Sequence, residues 1–135
     1  MRKLRLGSVG LAFCFLLLNL SRLFAVDSEN PEAMRWFNLG LQENDAQKKI
    51  AAYAKAIELD PKFIEAYYNL GLAYRQAQDF VQAEKFLRSA LEADPAKLRT
   101  DTKLQVKYEL AATYKRQAKN KDYDTTLLEA QALAQ

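Results

Sequence analysis

Residues 64–95 read IEAYYNLGLAYRQAQDFVQAEKFLRSALEADP, and this stretch decides the fold. Apolar and small side chains recur in it at helical spacing and none of it alternates like a strand. These marker residues are Tyr67, Leu70, Gly71, Tyr74, Ala83, Leu87 and Ala90, and Asp94-Pro95 closes the stretch. Asp79-x-x-Gln82 has the form of a capping box at the start of a second helix. The stretch therefore predicts two helices joined by a short turn.

This spacing resembles the tetratricopeptide repeat, a helix–turn–helix unit of about 34 residues that buries its apolar face by stacking on neighbouring units. NLGL occurs at residues 38–41 and again at 69–72, and KAIELDP at 55–61 is echoed by SALEADP at 89–95. A looser third unit contains Tyr108-x-Leu110-Ala111-x-x-Tyr114. The resemblance implies an all-α fold, a short α-solenoid of about three helix pairs. The repeats would span about residues 31–61, 64–97 and 102–135.

Small residues and prolines predict the packing and the helix boundaries. Glycine in a helix costs about 0.5–1 kcal/mol relative to alanine, so we expect Gly71 to allow a close approach, against Ala83 of the second helix. Asn30-Pro31, Asp60-Pro61 and Asp94-Pro95 each predict a helix start, with a capping side chain before a proline at the first helical position.

The first 25 residues differ from the rest of the chain. Arg2, Lys3 and Arg5 precede an apolar run from Leu6 to Leu20, and a small residue, Ala25, follows. This order is typical of a secretory signal peptide cleaved after Ala25, which leaves residues 26–135 as the repeat domain. An uncleaved membrane anchor is the alternative, and the shortness of the run favours cleavage. We therefore expect a periplasmic or secreted protein, with membrane contact only if the leader is retained.

The charge of the repeat domain gives no support to nucleic-acid binding. The chain has 20 basic and 17 acidic residues, but four of the basic ones precede Ala25, which leaves 16 basic against 17 acidic. Nucleic-acid binding requires a basic face on the folded domain. The locally basic stretch from Lys97 to Lys121 also contains acidic residues, so we interpret it as a solvated helix face.

The sequence does not support catalysis or a metal site. It has no histidine, and its single cysteine, Cys14, lies in the leader. A nucleophile–histidine pair and a zinc site therefore cannot be assembled. Asp122 and Asp124 could act as acid–base groups or cation ligands, but acidic residues near a helix start have an ordinary electrostatic role. We predict no enzyme activity, no catalytic or metal-binding residues and no cofactor.

The resemblance also implies where a partner binds. In such repeats the first helix of each pair lines a concave groove, and the matching positions here include aromatic and basic side chains. The groove residues predicted in this way are Phe37, Tyr68, Leu72, Arg75, Tyr108 and Lys115. The alternative is that some of these rings only pack between helices. Repeats that clamp the carboxylate tails of heat-shock chaperones are not matched, because Glu109 would repel a carboxylate.

These features predict an exported adaptor or scaffold that binds a polypeptide partner in its groove. The alternative is a structural subunit packed permanently into a cell-envelope or secretion assembly. The last predicted helix carries Leu127, Leu128 and Leu133 with no capping helix after it. Because terminal repeats need a polar outer face, self-association through this helix is a further hypothesis.

Overall fold

The computed structural model describes residues 28–135, in which the chain forms six α-helices and no strand. The helices are α1 (Pro31–Gln42), α2 (Ala46–Leu59), α3 (Ile64–Gln76), α4 (Phe80–Glu92), α5 (Thr100–Arg116) and α6 (Asn120–Leu133). The predicted signal peptide lies outside the described residues. None of the six helices is long and apolar enough to cross a membrane.

The helices stack in the order of the chain. α1 packs on α2, α3 on α4 and α5 on α6, and contacts between α2 and α3 and between α4 and α5 join the three pairs. The first helices of the second and third pairs, α3 and α5, also contact each other directly. This arrangement confirms the predicted all-α solenoid of three helix pairs, in which each pair contacts only its neighbours.

Two apolar clusters hold the stack together. In the first cluster, Phe37, Tyr53, Phe63 and Leu70 join the first pair to α3. In the second, Leu87 and Ala90 of α4 meet Val106, Leu110 and Tyr114 of α5. The repeat motif thus places its leucines and alanines at the junctions between units, where burial of apolar area stabilises the stack.

Gly71 allows a close helix approach, but its neighbour is not the predicted one. A Cβ added at Gly71 would lie 2.7 Å from Cγ of Leu87 and 3.2 Å from the Leu87 backbone nitrogen. The nearest residue of α4 is therefore Leu87, a turn further along the helix than the expected Ala83. Gly40 has the same function in the first pair, because a Cβ there would lie 2.5 Å from the Tyr53 ring.

The predicted caps are partly correct. Asn30 caps α1 by accepting hydrogen bonds from the amides of Glu32 and Ala33, and Asp79 caps α4 by accepting one from the amide of Gln82. The Asp60-Pro61 and Asp94-Pro95 predictions are wrong. Asp60 ends α2, and its side chain accepts from the amide of Lys62 within a turn, so α3 begins only at Ile64. Asp94 likewise lies in the turn between α4 and α5.

The outer side of α1 has no helix against it among residues 28–135. Leu39 occupies the repeat position of Leu70 and Leu110, but it is 49% exposed where those residues are 1% and 5% exposed. Trp36, one turn earlier, is also exposed. α1 ends at Gln42, about one turn earlier in the repeat than α3 and α5, as the shortened sequence between Gly40 and Asp45 predicts.

Two turns between paired helices contain a residue in the left-handed region. Gln78 has φ 62° and Ala118 has φ 58°, and each directly follows the C-cap residue of the preceding helix. Glycine is favoured at this position because it has no Cβ. Neither residue is glycine, so both turns carry a conformational cost of about 1–2 kcal/mol.

We expect Gln78→Gly to raise the free energy of unfolding by about 0.5–1 kcal/mol, because relief of the left-handed conformation exceeds the added freedom of the unfolded chain. Urea denaturation followed by circular dichroism measures the change. Gln76→Gly is the matched control, since Gln76 is also exposed but lies within α3, where glycine destabilises by up to about 1 kcal/mol. A loss of stability in both variants would contradict the prediction.

Candidate peptide-binding groove

The first helices of the second and third pairs form a continuous wall. Arg75 of α3 makes an ion pair with Glu109 of α5, and both side chains are about one-third exposed. Tyr68 of α3 and Gln105 of α5 lie near each other across the same boundary. The ion pair holds α5 beside α3, so side chains from both helices contribute to one surface.

Tyr68 is half-buried in this wall. Burial raises the pKa of its hydroxyl, and the negative charge of Glu109 raises it further. The hydroxyl therefore stays protonated at neutral pH and is available as a hydrogen-bond donor as well as an acceptor. Its ring supplies apolar area at the same place, a combination that suits contact with a polypeptide.

Tyr108 and Lys115 lie on the exposed side of α5. Tyr108 is 44% exposed although it is a large aromatic residue, and the Lys115 ammonium lies 5.7 Å from the centroid of the Tyr123 ring. Leu72 of α3 is half-buried. Tyr68, Leu72, Tyr108 and Lys115 thus all keep some accessible surface, and their contact with a ligand stays a prediction.

Phe37 requires a correction because it is a core residue. It is only 2% exposed, and its ring centroid lies 4.8 Å from that of Phe63 and 5.6 Å from that of Tyr53. Phe63 stands in the turn before α3 and covers the face of α1 that the repeat pattern assigns to the groove. Of the three aromatic residues predicted in the groove, only Tyr68 and Tyr108 therefore keep accessible surface.

Arg75 also has a structural role that the sequence did not reveal. Its guanidinium is engaged by Glu109, so it is not a free cation at the rim of the groove. Arginine carries five N–H donors, however, and one carboxylate does not use all of them. Arg75 remains one-third exposed and can still donate to a ligand.

A cavity of about 550 Å³ lies at one end of the wall. It opens between the end of α3, the start of α4 and the end of α5. The residues that line it are Arg75, Gln76, Gln78, Phe80, Ala112 and Arg116. Of these six residues, the repeat pattern predicts Arg75 as a groove residue. It misses Arg116, although this residue directly follows the predicted Lys115.

A polar network supports the floor of this cavity. The Gln117 side chain donates to the Phe80 carbonyl at 3.0 Å and to the Glu84 carboxylate at 2.9 Å, and Lys119 donates to Glu84 at 2.6 Å. Partial burial acts to raise the pKa of Glu84, but the hydrogen bonds from Lys119 and Gln117 outweigh it and lower that pKa. Glu84 is thus an anion already neutralised within the fold and bridges α4 to the turn after α5.

The part of the chain that the structure describes has no group of side chains suited to binding a metal ion. Residues 28–135 contain no cluster of three or more acidic, histidine or cysteine side chains that could hold an ion. The surface of α3 and α5 therefore provides aromatic, amide and cationic groups, which are groups for noncovalent recognition.

An all-α stack of helix pairs with a surface built from successive first helices defines a solenoid repeat protein. Family comparisons specify the repeat: the family model described as "TPR repeat" matches residues 41–78, and the one described as "Tetratricopeptide repeat" matches residues 64–97. The chain therefore contains tetratricopeptide repeats, which are generally non-catalytic modules that bind protein partners.

A curated relative shares part of this region. Superkiller protein 3 of Schizosaccharomyces pombe is 34% identical to this chain over 56 residues, which cover 42% of the chain and 4% of that protein. The chain thus spans a small fraction of the length of this relative. The similarity supports the repeat fold, and the partner of this chain must be inferred from its own surface.

Proposed function

We propose that this protein is a non-enzymatic adaptor that binds a polypeptide along the surface formed by α3 and α5. The observation that carries the proposal is the pairing of an exposed ring, Tyr108, with a cavity of about 550 Å³ lined by residues of both helices. Two parts of a ligand can thus be held at once, one by an aromatic side chain and one by polar groups at the end of the groove.

The chemistry of this surface suits an extended peptide. Tyrosine provides a large rigid contact area at low entropic cost, and arginine and glutamine can bond to backbone or side-chain oxygens. The ion pair between Arg75 and Glu109 holds the two helices in fixed relation before a ligand arrives. A preformed surface lowers the ordering cost of binding.

Affinity capture tests this proposal. We expect the protein purified from cells that express the full chain to retain a polypeptide partner, and Tyr108→Ala to weaken that capture at least about fivefold, since aromatic contacts at interfaces are worth more than about 1 kcal/mol. Tyr108 is exposed, so its loss leaves the fold intact, whereas Arg75→Ala would leave Glu109 unpaired.

Val81→Ala is the matched control for this capture. Val81 is an exposed apolar residue on α4, a second helix, and it is not among the residues that line the cavity. Circular dichroism verifies that both variants keep the helix content of the parent chain. Capture weakened by Val81→Ala but not by Tyr108→Ala would place the interface on the second helices and overturn the proposal.

The second candidate is a structural subunit of a larger assembly. The outer side of α1 exposes Trp36 and Leu39, and Leu128 on α6 is 66% exposed. These apolar residues lie at the two ends of the described stack, where a repeat array continues by adding a further unit. On this alternative the chain would be held by its ends, and Leu39→Ala would weaken its assembly more than Tyr108→Ala.

We also propose that the protein acts outside the cytoplasm, in a periplasmic or secreted location. The support is the order of basic, apolar and small residues in the first 25 positions.

Asn30 joins the start of α1 to the end of α2 through a hydrogen bond from its side chain to the Leu59 carbonyl at 2.9 Å. The chain therefore enters the repeats at the edge opposite the cavity, about 20 Å away along the 13 residues of α3.

A further inference from the structure

The cavity at the end of the groove is lined by cations without an acidic side chain among its lining residues. Arg75 and Arg116 approach it from α3 and α5, and Gln76 and Gln78 add carboxamide groups. Glu109 engages Arg75, whereas Arg116 has no ion-pair partner among residues 28–135. An unpaired guanidinium beside an open cavity is a recognition group for a carboxylate.

Three lysines lie close in the chain to the end of α5. Lys115 directly precedes Arg116 on α5, and Lys119 and Lys121 lie at the start of α6. Lys119 is neutralised by Glu84, and Lys115 lies against the Tyr123 ring, whereas Arg116 makes no ion pair within the described chain. Among the cations of the stretch from Lys97 to Lys121, Arg116 is the one that lines the cavity, and a solvated helix face stays the prediction for the others.

We infer that the groove takes an acidic polypeptide segment, whose side-chain carboxylates bind at Arg116 and at the free donors of Arg75. This inference rests on the proposed groove function and specifies the chemistry of its partner. Two guanidinium groups, those of Arg75 and Arg116, line the cavity, so they match two carboxylates along a segment better than a single chain end. Tyr68 and Tyr108 then contact apolar parts of the same bound segment.

Glu109 limits where the carboxylates can lie. Its charge is engaged by Arg75 and would oppose a second anion placed deep between α3 and α5. Arg116 lies about two helical turns beyond Glu109 on α5, on the side of the cavity. The acidic groups of a partner are therefore expected at the cavity, and uncharged residues beside Glu109.

Peptide probes test the inference on protein purified from cells that express the full chain. The first probe is a fluorescein-labelled eight-residue peptide, amidated at its C-terminus, with four glutamates separated by leucine and glycine. The second replaces every glutamate by glutamine, and the third is the glutamine peptide with a free terminal carboxylate. Fluorescence anisotropy at low and at physiological salt measures the affinity of each.

We expect the glutamate peptide to bind tightest and to lose affinity at higher salt. Arg116→Gln should weaken that binding about tenfold, because a hydrogen bond to a charged group is worth about 1.5–3 kcal/mol. Arg35→Gln is the matched control, since Arg35 is an exposed arginine on α1, away from the cavity, and its removal should leave affinity unchanged.

Two results would overturn the acidic-segment inference but leave the proposed peptide-binding function of the groove intact. Equal binding of the glutamate and glutamine peptides, both weakened by Tyr108→Ala, would retain the groove without a preference for acids. Tightest binding of the free-carboxylate peptide would replace the acidic segment by a chain terminus. Binding that is insensitive to both Arg116→Gln and Tyr108→Ala would overturn the inference and the groove together.

Discussion

Replacing Leu87 with alanine is expected to lower the free energy of unfolding by about 2–5 kcal/mol, the range for large-to-small changes in a packed core. Leu87 is 0% exposed, and its side chain fills the space above Gly71 of α3. The same residue belongs to the cluster that joins α4 to Val106 and Leu110 of α5. Its loss therefore weakens contacts within one unit and between two units.

Equilibrium urea unfolding followed by circular dichroism measures this effect. Leu128→Ala is the matched control, because it removes the same atoms from a leucine that is 66% exposed on α6. Surface substitutions of this kind usually change stability by less than about 0.5 kcal/mol. Equal effects of the two substitutions would show that Leu87 does not hold the units together.

Gly71→Ala is expected to destabilise the protein by about 1–3 kcal/mol, although alanine is the better helix former. The new Cβ would overlap the Leu87 side chain at 2.7 Å and press on its backbone nitrogen at 3.2 Å. Flexible side-chain atoms can move away, but the backbone nitrogen moves only with α4. Packing strain thus outweighs the gain in helix propensity.

The midpoint of thermal unfolding is a sensitive measure of this substitution. Ala54→Gly is the control for helix propensity alone. Ala54 is exposed within α2, and its replacement by glycine should lower the free energy of unfolding by about 1 kcal/mol. A Gly71→Ala protein that unfolds at a higher temperature than the parent chain would contradict the close approach of α3 and α4.

The repeat pattern predicts the fold because its marker residues are defined by packing between neighbouring helices. Leu70 and Leu110 hold equivalent positions in successive units, and both are buried against the helix that precedes them. Gly71 could be recognised as a contact point from its cost within a helix. Its partner could not, because the sequence does not fix which turn of α4 lies opposite.

The groove was predicted less completely because its residues depend on tertiary neighbours. Phe37 has the correct position in its unit, but Phe63, from the turn before α3, covers it. Asp60 ends α2 and stabilises that turn, whereas the sequence predicted that it begins α3. Because this helix boundary was wrong, the contact of Phe63 with Phe37 could not be predicted. The cavity at Arg116 depends on how three helix ends meet, and no local pattern encodes that geometry.

The central claim is that α3 and α5 form the partner-binding surface, and photo-cross-linking tests it most directly. A photoreactive phenylalanine analogue replaces Tyr108 in cells that express the full chain, and in parallel strains it replaces Val81 or Leu128 on the second helices. We predict a cross-linked polypeptide adduct from position 108 and none from the other two. Adducts from positions 81 or 128 without one from position 108 would contradict the account.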